Sequence, residues 1–140
     1  MAFRHKINNI KTLRFETNDT VPNGNGKVEL KVSYYFREPR FVGIIGDFKF
    51  FDPESSKEAL YVSAEIEYDI HIEEFKEIKK DENTVILPQK VAAYFSNMLI
   101  GTARGILHVR TENTKFSHYI IPPIAFSKNI EGDVIINAKK

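Results

Sequence analysis

The 140-residue chain contains no cysteine and no tryptophan. The missing cysteine excludes a disulfide framework, thiolate-held zinc or iron–sulfur sites and a thiol nucleophile. Charge of one sign is also lacking. Twenty Lys and Arg face 19 Asp and Glu, a net +1, which gives no electrostatic footprint for nucleic acid. Long apolar runs are absent, so no membrane-inserted helix is expected. The start, Met1-Ala2-Phe3-Arg4-His5-Lys6, is basic, but Asn8, Asn9 and Lys11 follow where a signal peptide would be apolar. The expectation is a cytoplasmic protein. Motifs for chemistry are scarce as well. His5, His71, His108 and His118 form no metal-binding pair at helical spacing, and Asn23-Gly24-Asn25-Gly26 lacks the Lys-Ser/Thr of a phosphate loop. No enzyme activity, metal or cofactor is expected.

What remains is ordinary globular composition, 42% apolar and 28% charged. A chain of this length is expected to form one domain and to bury about two-thirds of its extended surface. Residues 3–16 read as a strand whose apolar positions change parity. Phe3, His5 and Ile7 share one phase, Ile10 has the other, and Leu13 and Phe15 return to the first, so a bulge is expected near Asn8-Asn9. Residues 21–26 form a turn. Val28, Leu30, Val32, Tyr34 and Phe36 then alternate cleanly with polar residues, ending at Glu38-Pro39. A third strand covers 41–51, with Gly43 and Gly46 marking bulges or close approaches. A fourth is expected from 58 to 75. Short connections favour antiparallel neighbours.

Residues 76–87 read as a connection with a charged stretch at 76–83. A long helix is expected over 88–112, with Pro88 at its first position. Val91, Phe95, Met98, Thr102, Ile106 and Val109 form one apolar stripe, and Ala92, Leu99, Ala103 and Leu107 a second beside it. Together they are wider than one sheet contact needs. Residues 113–140 read as an extended C-terminal segment. The expected fold is therefore α+β, a four-stranded antiparallel sheet packed with one long helix.

Three constellations stand out. The chain holds 11 Phe and 6 Tyr, many of them crowded on three strands. They serve as core or as an apolar surface for another protein's side chains, which Phe, Tyr and Met suit through large area and adaptable shape. Glu65, Glu67, Asp69 and Glu73 fall on one strand face, either solvated and paired with Lys27, Lys31 and Arg37 or forming an acidic docking surface. Gly101 and Gly105 each weaken the helix by about 1 kcal/mol relative to Ala. That cost suggests another backbone packs close, either the sheet or a partner helix.

The run Ala93-Tyr94, Asn97, Leu99, Ala103-Arg104, followed by Phe116 and Pro122-Pro123-Ile124-Ala125-Phe126, resembles the SecB family of protein-export chaperones. More loosely, Phe3 to Phe15-Glu16 is similar to that family's long first strand. The resemblance implies a homotetramer, a dimer of dimers, that uses no ATP and holds unfolded or pre-export polypeptides in apolar grooves. Tyr34, Phe36, Phe48, Phe50, Tyr68, Phe95, Met98 and Tyr119 are then the candidate groove residues. Asn97, Gly101, Arg104 and Gly105 are candidates for the oligomer face of the helix, Arg104 more as a packed stem or salt bridge than as a client contact. Glu65, Glu67, Asp69 and Glu73 are candidates for docking the SecA motor. The short segment 127–140 with its basic end, Lys139-Lys140, departs from the family's long second helix and acidic tail. A SecB-like subunit for one dedicated partner, such as a toxin–antitoxin chaperone, is the alternative. A small-ligand-binding α+β protein is another.

Overall fold

The computed structural model describes residues 3–20, 27–124 and 130–138. The turn expected at 21–26, Ala125-Phe126 and Lys139-Lys140 lie outside these. The larger sheet comprises β1 (His5–Thr17), β2 (Lys27–Arg37), β3 (Phe41–Phe51) and β4 (Glu58–Ile70), antiparallel in the order β1-β4-β3-β2. The first strand thus pairs with the fourth, and β1 and β2 are the edges. One long helix, α2 (Gln89–Thr111), lies on this sheet. The α+β architecture matches the expectation from sequence.

β1 contains two register shifts, between Ile7 and Asn9 and between Thr12 and Arg14. Each extra residue turns the strand over once. The parity break in the sequence is resolved this way. Ile7, Ile10, Thr12 and Phe15 stand opposite Tyr68, Ile66, Ala64 and Val62, all on the helix side of the sheet. Lys6, Lys11 and Arg14 face the other way with Asp69, Glu65 and Ser63.

The helix side is the core. Val42, Ile44, Phe48, Val62, Ala64, Ile66, Tyr68 and Ile70 are fully buried there. Ala92, Phe95, Leu99, Ala103 and Leu107 come down on them from α2 at spacings of three and four. Gly46 makes this approach possible, because a Cβ there would sit 2.7 Å from Leu99 Cδ2. Pro88 is the N-cap of α2 rather than its first helical residue, and its carbonyl accepts the Ala92 N–H at 2.9 Å. The helix ends where Asn113 takes a left-handed conformation, φ 63°.

Five elements differ from the sequence expectation. β4 stops at Ile70, and α1 (Ile72–Ile78) follows, with His71 as its N-cap. Phe75 and Ile78 turn inward from α1 in a run whose charges conceal the helical spacing. Residues 79–87 and the C-terminal segment then build a second antiparallel sheet from β5 (Lys79–Asp81), β6 (Thr84–Leu87) and β7 (Val134–Asn137), in that order. A single parallel bridge, Phe36 to Ala138, ties it to β2.

Candidate functional site

The aromatic residues expected to line a groove lie mostly inside the chain's own core. Phe36, Phe48, Phe50, Tyr68, Phe95 and Tyr119 are buried, while Tyr34 and Met98 are half-buried. Tyr68 and Phe95 stack with centroids 3.7 Å apart and planes at 7°. The His5 ring stands edge-on to Phe95 at 5.1 Å and to Tyr68 and Tyr94 at 5.6 Å. Tyr34 Oη and Ser96 Oγ share a 2.8 Å hydrogen bond, and Tyr68 Oη donates to Met98 Sδ at 3.6 Å. Burial pushes the Tyr68 phenol pKa up. Tyr119 packs its ring 5.2 Å from Phe50 and holds the segment after α2 against the sheet. Tyr34 and Tyr68 on the sheet thus join Ser96, Phe95 and Met98 on the helix, while Tyr119 covers Phe50 from the segment after it.

The open apolar surface is beside them. The helix packs mainly over β3 and β4 and meets edge strand β1 near its ends, at His5 and Phe15, so the inner face between them is left open. Ile7 and Ile10 are 43% and 48% exposed there, and the bulge residue Leu13 is 46% exposed. Across from them runs the flank of α2 that the core does not use. Tyr94 is half-exposed, Val109 is 72% exposed, and Met98, Thr102 and Ile106 are half-buried. A trough follows, with His5 against Tyr94 at one end. At the other, the Arg110 guanidinium lies 5.6 Å from the Phe15 ring. Near that end, Thr12, Ile106 and Val109 border a hollow of about 290 Å³. Parity arithmetic missed Ile7 and Ile10 as surface residues. The available signal was the surplus width of the helix's apolar face, which has no sheet to cover it.

On its outward face, α2 presents Asn97, Gly101 and Gly105, all exposed. Among the described residues, a Cβ at either glycine would meet nothing within 4 Å, so the pair does not pack on this chain's sheet. Arg104 is engaged instead, donating from Nε to the Ile121 carbonyl at 2.8 Å and from Nη2 to that of Pro122 at 3.0 Å. It pins the segment after the helix. Between that segment and the bare helix face is a second hollow, about 430 Å³, bordered by Gly101, Gly105, His108 and the 66%-exposed Ile120.

The acidic set is not one exposed stripe. Glu73 belongs to α1, not to β4, because the strand ends at Ile70. Glu65 and Glu67 are buried. Glu67 accepts from Arg37 Nη2 and Nε at 2.7 and 2.8 Å, from Tyr35 Oη at 2.7 Å and from Asn8 Nδ2 at 2.8 Å. The Arg37 guanidinium holds its carboxyl down to about 2, against burial, with Tyr35 and Asn8 assisting. Burial and the Glu67 bond push the Tyr35 phenol well up. The Tyr35 ring reaches Glu67 by crossing β3 at Gly43, where a Cβ would overlap it. Asp69, partly exposed, pairs with Arg40 Nε at 2.9 Å. Of the basic partners expected for this stripe, Arg37 alone makes such a bond; Lys27 and Lys31 make none among the described residues.

Among the described residues, no three His, Cys, Asp or Glu are grouped to hold a metal ion. Nor is any helix long and apolar enough to cross a membrane.

No family model and no curated protein matches the sequence. Among solved structures, the fold is similar to a SecB-like chaperone of Mycobacterium tuberculosis, solved in complex with a ChAD peptide from the HigA1 antitoxin. The TM-score is 0.55 at 13% identity, over 86% of this chain and 90% of that one. The chain therefore has a SecB-like fold.

Proposed function

We propose that this chain is a subunit of an ATP-independent, non-enzymatic chaperone that holds unfolded or extended polypeptides on exposed apolar surface. The carrying observation is the trough between β1 and α2, where Ile7, Ile10, Tyr94 and Val109 are all at least 43% exposed. Each Å² of client surface removed from water there contributes about 25 cal/mol. Repetition of the trough around a homo-oligomer, a dimer of dimers using the bare face of α2, would add avidity without sequence specificity. In an export role, handoff to SecA would rest on Asp69 and Glu73, the members of the acidic set left at the surface.

The test is suppression of aggregation for several unrelated unfolded proteins. Protection at stoichiometric excess is expected. Ile10→Ser with Val109→Ser should reduce it while the melting temperature stays nearly unchanged, whereas Phe95→Ser should mainly unfold the chain. Failure to protect any client would sink the general holdase. A narrower reading draws on the antitoxin peptide bound to the structural neighbour. In that reading the chain serves one dedicated partner, and it predicts tight binding to a single protein with poor protection of others.

A further inference from the structure

At the end of the larger sheet where β1 begins and β4 finishes, three chain segments are clamped together. The Arg4 carbonyl accepts the His71 N–H at 2.9 Å, and the Arg40 carbonyl accepts the Ile70 N–H at 3.0 Å. A hollow of about 440 Å³ opens there, bordered by Arg4, Lys6 and Arg40, by Asp69, by His5 and His71, and by the 49%-exposed Ile72. Such a volume suits a small organic ligand.

The side chains that border it carry three cations, Arg4, Lys6 and Arg40, against one carboxylate, Asp69. Arg4 is braced from behind by the buried Glu74, which takes its Nε and Nη2 at 2.9 and 2.7 Å. Arg40 is braced by Asp69 through Nε alone, which leaves both its terminal nitrogens. Lys6 stands directly opposite Asp69 across the strand pair, yet makes no ion pair among the described residues. Asp69 and Glu74 are committed to the arginines, Glu73 acts on Arg4 from farther off, and Lys6 has no ion-pair partner among the described residues. His71 uses Nδ1 to accept the Glu73 N–H at 3.3 Å, which keeps the donor on Nε2. Guanidinium groups held by one edge and free on the other are suited to oxyanions. The half-exposed Ile72 adds apolar wall.

We propose that this hollow binds a small organic anion, a carboxylate or phosphate monoester on a compact apolar body, with Lys6 and Arg40 as the principal charge partners. The hollow meets the β1–α2 trough at His5, but Lys6 and Arg40 take no part in the trough, so anion binding stands or falls independently of client holding.

The experiment is an amide-resolved NMR titration of the full chain with phenyl phosphate and with benzoate, using benzyl alcohol as the uncharged analogue. Saturable shifts confined to residues 4–6, 40 and 69–72 are expected for the anions and not for the alcohol. Lys6→Gln should weaken anion binding roughly tenfold, the effect of losing one charged hydrogen bond, with the remaining spectrum unchanged. Lys6→Glu should abolish it. Absence of saturation by about 10 mM for both anions, equal binding of the alcohol, or indifference to Lys6→Gln would each overturn the proposal.

Discussion

A single missing side chain organises the outer face of the sheet. Gly43 gives the Tyr35 ring room to cross β3 and hydrogen-bond Glu67, the centre to which Arg37 and Asn8 also donate. Gly43→Ala should displace that ring and cost about 1–3 kcal/mol in urea denaturation. Combining it with Tyr35→Ala should cost less than the two changes summed, since both break the same contact. Glu67 also makes stability depend on pH. Its folded pKa, about 2, lies below the ordinary 4.5. Its contribution is therefore complete above about pH 5 and is lost as the pH falls toward 2. The stability gap between the wild-type chain and Glu67→Gln should be on the order of 2 kcal/mol at neutral pH, discounted because Arg37 is half in solvent, and should narrow below about pH 5. A gap that is flat across that range would show that the carboxylate charge is irrelevant. From the sequence, alternation placed Glu65 and Glu67 correctly off the helix side. It could not show that Tyr35 and Arg37, about 30 positions away, would close over Glu67.

The long helix is the element most legible in the sequence, because a 23-residue amphipathic pattern is set by local spacing. The width of its apolar face was legible too, but its use was not. The stripe through Ala92, Leu99, Ala103 and Leu107 became core, and Met98, Ile106 and Val109 were left beside an uncovered strand. That outcome depends on strand order, which pairs β1 with β4 and so puts it beyond the helix. The short elements were harder for a different reason. α1 and the strands β5, β6 and β7 hold seven residues or fewer each, too short to establish a period, and β6 and β7 pair across about 50 positions. The bare glycines of α2 give a test at this scale. Gly101→Ala and Gly105→Ala should each raise protomer stability by up to about 1 kcal/mol, since a Cβ meets nothing. In the proposed assembly the same substitutions should weaken self-association, measured by sedimentation. A rise in melting temperature with unaltered association would remove this face from the interface.

For the molecule as a whole, apolar surface is concentrated along β1 and the two flanks of α2, whereas the other side of the sheet is closed by ion pairs. Association through the apolar side should therefore resist salt, because screening acts on charges and not on buried hydrocarbon. The sedimentation coefficient should be the same at about 0.1 M and about 1 M sodium chloride. Dissociation at the higher salt would instead point to the charged side. Strand β1 is also an edge 13 residues long, with a neighbour on one side only among the described residues. Its two bulges make that edge incommensurate with a straight strand. An incoming extended chain can follow it for only a few residues before the donors and acceptors fall out of step, and it must then step over a bulge to engage again. The edge thus behaves as three short rungs in place of one long template. It favours brief, reversible pairing and resists the continuous ladder by which exposed strands grow into fibres.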